Sequence, residues 1–245
     1  MFSQCLRLAA SFLLLVALAG CGMRSISNSG YEADSDRGYW QRGNPLYKGE
    51  LHEMDVIGID AKAPISEEDI AKAAVARTRL SLAKGATIML VQSGAMIPDE
   101  VMTQGMERYF NVSVFTGVPR TDKEAADGYA RALRLAAAKS GADKLVVYWG
   151  TLETGREDKA TKAISWFPFV GGVIPDETQH MRIRMKVAVV DVKSGQWEMF
   201  TPAPFDDTGS SGRYSRASSD QAQVAVLKDK AYKATVEDLV KRYAR

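Results

Sequence analysis

Residues 128–150 read GYARALRLAAAKSGADKLVVYWG, a helical pattern that changes to a strand pattern across one glycine. Tyr129, Leu133, Ala136 and Ala137 recur at the three- and four-residue spacing that lines one face of a helix. Gly141 follows, the residue type that helices favour just past their last turn, where a left-handed backbone satisfies the final carbonyls. Upstream, Thr121 and Glu124 stand in capping-box order, so the pattern predicts a helix over Thr121–Ser140. Lys144–Leu152 (KLVVYWGTL) is then too apolar for a strand with one wet face, and is predicted to lie inside a sheet. A helix feeding a buried strand is the repeating unit of α/β domains.

The flanking sequence extends the same alternation. Ala86–Gln92 (ATIMLVQ) reads as a second central strand. Pro98 at a first helical position, with Asp99 and Glu100 behind it, opens a helix to about Tyr109, and Asn111–Phe115 returns as a strand. Nearer the N-terminus, Ser66 with Glu67, Glu68 and Asp69 starts a helix expected to run to Ala83 and stop at Gly85. Met54–Ile59 (MDVIGI) is short and apolar and reads as a strand. Beyond the middle, Met181–Val192 alternates, with Ile183, Met185, Val187 and Val189 on one face and Arg182, Arg184 and Lys186 on the other. Lys193, Ser194 and Gly195 turn it back into Gln196–Phe200 as a hairpin. A closing helix is expected over Ser219–Tyr243, its core side drawn from Ala222, Val226, Ala231, Val236, Leu239 and Val240. No internal repeat is visible. The expected fold class is α/β, with α+β the alternative: a two- or three-layer domain over residues 49–245, its mixed sheet of about five strands flanked by about four helices.

Composition sets the limits on function. The 245 residues are 46% hydrophobic and 25% charged, which fits a globular chain and excludes both disorder and a polytopic membrane protein. Thirty-two Lys and Arg against 30 Asp and Glu give a net charge of +2, too small to argue for nucleic acid as a partner. The only cysteines are Cys5 and Cys21, which leaves no disulfide framework and no multi-cysteine zinc module.

The first segment carries an address. Arg7 precedes the run Leu8–Ala19 (LAASFLLLVALA), too short to span a bilayer comfortably but the right length for the core of a secretory signal peptide. Leu18, Ala19, Gly20 and Cys21 follow as L-A-G-C. This resembles the lipobox of bacterial lipoproteins. The resemblance implies a signal peptide over residues 1–20, cleavage before Cys21, and acylation of that cysteine, which thereby anchors the protein to the membrane. Gly22 in place of Asp next to the cysteine implies, by the same resemblance, an outer-membrane, periplasm-facing location, with the inner membrane as the alternative. Residues 21–48 are rich in Ser, Gly, Asn, Asp and Arg without period, and read as a lipid-anchored flexible tether. Tyr31, Tyr39, Trp40 and Tyr47 within it either fold back on the domain or meet a partner or lipid.

Chemistry is sparse. His52 and His180 are isolated, and neither lies in a metal-binding pattern, so no metal and no cofactor are expected. Ser93 sits between a strand and a helix as a nucleophile would, but Val91 and Ala95 replace the glycines of G-x-S-x-G. The turn carrying Ser93, Gly94 and Asp99 lies at a strand's C-terminal end, where open α/β sheets place ligands, so a small-ligand site there and an envelope hydrolase centred on Ser93 both remain alternatives. Asp206 and Asp207 lack the order of a calcium loop and read as part of a solvated connection. The stretch Ile164–Pro175 (ISWFPFVGGVIP) is too apolar for disorder; Trp166, Phe167, Phe169, Val170 and Ile174 make it a candidate partner-binding tip, a lipid-dipping finger, or a lid on the core. The row Arg182, Arg184 and Lys186 is either a docking face or a solvated strand face.

The lipobox, Ala86–Gln92, Gly128–Gly150 and the Arg182–Phe200 hairpin together resemble envelope lipoproteins with compact α/β domains, a group that includes the curli-secretion lipoprotein and the lipoprotein activators of penicillin-binding proteins. What the resemblance implies is non-enzymatic work by contact with another envelope protein, in assembly, secretion or regulation.

Overall fold

A computed structural model describes residues 22–29, 44, 46–60, 64–76, 79–119, 126–158, 177–211 and 216–244. In chain order the elements are β1 (Gly22–Ser25), a 3-10 turn (Ile26–Asn28), α1 (Glu53–Ile57), α2 (Glu67–Val75), β2 (Thr87–Gln92), α3 (Glu100–Glu107) and β3 (Asn111–Phe115). They continue with α4 (Ala126–Lys139), β4 (Lys144–Asp158), β5 (Glu177–Asp191), β6 (Trp197–Phe200), β7 (Phe205–Ser211) and α5 (Arg216–Tyr243). The strands form one mixed sheet in the order β3-β2-β4-β5-β6, with β1 paired to β4 and β7 to β5. β2 runs parallel to both β3 and β4, whereas β5 and β6 are antiparallel. The α/β expectation holds, and the sheet is open.

The chain divides into two compact units. The larger contains Arg24–Leu152, Ile183–Phe205 and Val224–Arg245. At its centre is β2, whose residues from Ile88 to Gln92 are all buried, as its uninterrupted apolar run predicts. Met89 and Val91 pack with Leu145 and Val147 of β4, Leu133 and Ala137 of α4, and Val190 of β5. Because side chains alternate along a strand, Tyr148 emerges on the opposite face, where its ring meets Tyr232 of α5 edge-on with centroids 5.9 Å apart. α3 lies against α5, since a Cβ on Gly105 would come within 3.0 Å of Val236. Helices therefore cover both faces of the sheet in this unit, the three-layer form of the fold. The smaller unit comprises Met1–Met23, Glu153–Arg182 and Asp206–Gln223. Its described residues include the distal parts of β4 and β5, most of β7 and the first turns of α5. Within it, Arg182 is ion-paired with Asp206, and Thr208 lies 3.3 Å from His180.

Several expectations are corrected. Met54–Ile59 is not a strand: Glu53–Ile57 is helical, because the His52 side chain accepts from the Met54 N–H, Glu53 and Asp55 favour a helix start, and Gly58 closes the turn at φ 75°. α2 starts where expected, with a full Ser66–Asp69 capping box, but it ends at Val75 instead of Ala83. Leu82 instead donates its N–H to the Tyr243 carbonyl at 2.8 Å, a pairing that a continued helix would forbid. Pro98 stands one residue outside the cap of α3, which is Asp99, and that helix stops at Glu107. Asp206 and Asp207 lie on β7 instead of in a connecting loop, where Arg182 compensates the first carboxylate. Of the core contacts expected on α5, Ala231, Val236 and Leu239 are buried, whereas Val226 is 49% exposed and Ala222 is also exposed; Val224, Leu227, Tyr232 and Tyr243 complete the buried stripe. Of the expected tether, Gly22–Ser29 is folded as β1 and the 3-10 turn, and Tyr47 folds back with its hydroxyl 3.4 Å from Glu50. Tyr31, Tyr39, Trp40, Thr121 and Glu124 lie outside the described residues.

Candidate functional site

The turn after β2 is the candidate site that the structure describes. β2 ends with Gln92, and the chain turns through Ser93 and Gly94 before Asp99 caps α3. Gly94 has φ 78°, a left-handed conformation natural to glycine, and a Cβ on it would fall 2.7 Å from the Tyr47 ring. Across the turn Gly117 accepts from the Gly94 N–H at 2.9 Å and donates to Ala95 at 2.8 Å. Gly117 has no room for a side chain, because a Cβ there would lie 1.8 Å from the Gln92 carbonyl oxygen.

Ser93 is 1% exposed. Its Oγ accepts from the Leu51 N–H at 2.7 Å, its own N–H donates to the Tyr148 carbonyl at 2.9 Å, and its carbonyl accepts from the Ser27 hydroxyl at 2.6 Å. Leu51 is fixed in turn by its carbonyl, which accepts from the Trp149 indole N–H at 2.8 Å. Ser93 thus ties the chain ahead of α1 to the end of the sheet. Among the described residues, the partner of the Ser93 Oγ is a backbone N–H and not the histidine or carboxylate that activates a nucleophilic serine.

Around Gln92 a buried polar network continues. Its amide N–H donates to Ser27 Oγ at 3.0 Å, while its amide oxygen accepts from the Asp99 N–H at 2.7 Å and from the Tyr148 hydroxyl at 2.6 Å. The Asp99 carboxylate accepts from the Tyr232 hydroxyl and from Lys228 at 3.1 Å, binding α3 to α5. Burial, then the Asp99 charge, pushes the Tyr148 hydroxyl well above its ordinary value. Burial, then the neighbouring Tyr148 and Asp99, does the same to Tyr232. Both phenols are held neutral as hydrogen-bond donors. Chemically this is a clamp, in which the Gln92 amide oxygen takes the Asp99 N–H, one of the donors at the start of α3.

Ser93, Gly94 and Asp99 are therefore brought to one turn, with Ser93 buried and the Asp99 carboxylate half-buried against Lys228 and Tyr232. Gln92, Tyr148, Lys228, Tyr232 and Ser27 complete the network and were not singled out from the sequence. Gln92 gave a signal, as the one amide ending a run of apolar residues; the partners, far apart along the chain, gave none. The basic row is also accounted for: Lys186 pairs with Glu53, Arg182 with Asp206, and Arg184 is likewise engaged. His52 is a helix cap. A small cavity lined by Arg79, Leu80, Ser81 and Ala83 shares no residue with the turn. Cys21 and the Trp166, Phe167, Phe169, Val170 and Ile174 loop lie outside the described residues.

An open mixed sheet sheathed by helices, with the polar cluster at its central turn spent on internal bonding, defines an α/β domain, and none of its described helices is long and apolar enough to cross a membrane. The chain belongs to the YafT bacterial lipoprotein family, whose model matches residues 52–242. It is thus a membrane-anchored lipoprotein of the bacterial envelope. No curated protein matches the chain. Among solved structures, it is similar to a variant PelC dodecamer from Paraburkholderia phytofirmans (14% identity, TM-score 0.28, covering 64% of this chain and 93% of that one). It is also similar to lipoprotein GNA1162 from Neisseria meningitidis (19% identity, TM-score 0.25, 60% of this chain and 98% of that one).

Proposed function

We propose that Cys21 bears the lipid, that the protein faces the periplasm from the outer membrane, and that it works by contact with another envelope protein without catalysing a reaction. The observation that carries this reading is the bonding at the turn after β2: Ser93 receives the Leu51 N–H, and Asp99 receives Lys228 and Tyr232. The groups with the sequence context of an active site serve the domain's own cohesion. Contact then falls to Trp166–Ile174, an apolar stretch in sequence whose three aromatic residues stand among glycine and proline. The Gly22 that follows Cys21 supports the outer-membrane location.

The test is deletion of Trp166–Ile174 followed by in-cell crosslinking. The deleted protein is expected to keep the wild-type circular dichroism spectrum while losing capture of its envelope partner. Unchanged capture would overturn the assignment of contact to this loop.

A further inference from the structure

Lipoproteins gain reach from an unstructured stretch behind the acylated cysteine, and here that stretch is absent where it matters. β1 begins at Gly22 and pairs with β4. Ile26, immediately after β1, is 1% exposed and occupies the space above Gly150, where any Cβ would come within 2.5 to 2.9 Å of its side chain. Ser27 is locked next to it: its N–H donates to Ser25 Oγ at 3.0 Å, its hydroxyl to the Ser93 carbonyl at 2.6 Å, and it receives the Gln92 amide at 3.0 Å. Ser29 closes the turn by donating its hydroxyl to the Ile26 carbonyl at 2.6 Å. Gly22 and Met23 belong to the smaller unit, whereas Ile26, Ser27 and Ser29, with Gly150, Ser25, Gln92 and Ser93 around them, belong to the larger.

We propose that this unit rests on the membrane surface itself, held there because the segment behind Cys21 is built into the sheet, with lipid headgroups as the surface that the β1 end meets. The inference rests on the lipid being attached at Cys21. From Cys21 to Ile26 the chain can span at most about 18 Å even when fully extended. A free tether of the length read from sequence would instead allow a root-mean-square reach of about 30 Å. Met23, 72% exposed within that short span, supplies an apolar side chain at the boundary. The chain between Ser29 and Asn44 lies beyond the lock, so its length does not set the height of the domain.

Two insertions separate these readings. The lipidated full-length protein carrying Lys193→Cys is labelled with a donor fluorophore at that exposed hairpin position, since acylation blocks the sulfur of Cys21. It is reconstituted in phosphatidylethanolamine and phosphatidylglycerol vesicles bearing headgroup acceptors. A Gly-Ser spacer of about twelve residues, adding about 20 Å of mean reach, is placed either between Cys21 and Gly22 or between Gly30 and Tyr31. The first insertion is expected to lose energy transfer and the second to leave it unchanged. Ile26→Asp, which releases the turn without lengthening the chain, is expected to lose transfer as well. Equal loss from both insertions, or no loss from either, would overturn the proposal while leaving lipidation intact. Absence of lipid from the parent protein, read from its mass, would overturn both.

Discussion

Gly117 shows how much of this molecule depends on single atoms. Its missing Cβ is what lets the chain pass the Gln92 carbonyl, since that atom would lie 1.8 Å from the carbonyl oxygen, and backbone cannot swing aside. Gly117→Ala is expected to cost about 2 kcal/mol or more in urea unfolding. Gly128, at an exposed position of α4 with nothing near its Cβ position, gives the contrast: Gly128→Ala is expected to stabilise by about 0.5 to 1 kcal/mol. Gln92 is the other critical residue, because one amide serves Ser27, Asp99 and Tyr148. Replacing it by Leu keeps the bulk but strands those partners, for an expected loss of about 2 to 3 kcal/mol in the same measurement. The partners of these residues were not legible in the letters. A sequence displays a polar residue at a strand end, and only the fold shows that Ser27 and Tyr148, 65 and 56 positions away, consume it.

Elements built from strong local signals were legible, and those decided by distant partners were not. β2, β3, the β5–β6 hairpin and the start of α2 followed from apolar runs, alternation and a capping box. α1 was hidden because MDVIGI is as apolar as a strand; the His52 cap and the closing Gly58 decide against that reading. β7 was hidden because its FDDTGSS composition is that of a loop, and only pairing with β5 and the Arg182–Asp206 ion pair make it a strand. The hairpin turn also carries a pH dependence. Burial pushes the Asp191 carboxyl up, but the Ser194 N–H and hydroxyl and the Lys144 ammonium outweigh it, leaving the group lowered from 3.8 to about 2. A carboxyl lowered on folding stabilises the protein above its unfolded value, and that contribution fades as pH falls from about 4 towards about 2. After allowance for solvent screening at this partly exposed pair, Asp191→Asn is expected to cost about 1 to 2 kcal/mol near neutral pH and about a third of that at about pH 2.5. Urea midpoints of both proteins at the two pH values check it; a gap that persists undiminished in acid would contradict the role given to the charge.

At the scale of the molecule, the three-layer unit surrounds a polar knot that joins its N-terminal segment, the end of the sheet, α3 and α5. The α/β class was legible because helix and strand periods alternate along the chain. The knot was not, since it depends on which ends the topology brings together. Membership of a bacterial lipoprotein family agrees with what the first 21 residues say in sequence, and Gly22–Ser25 form a strand of the sheet. The proposed anchoring, orientation and contact with envelope partners all rest on Cys21 as the attachment point. Mass spectrometry of the N-terminal peptide of the protein purified from membranes tests this directly. The expected peptide begins at Cys21 and carries acyl chains that are lost in Cys21→Ala; a mature chain beginning elsewhere, or an unmodified Cys21, would contradict the proposed anchor.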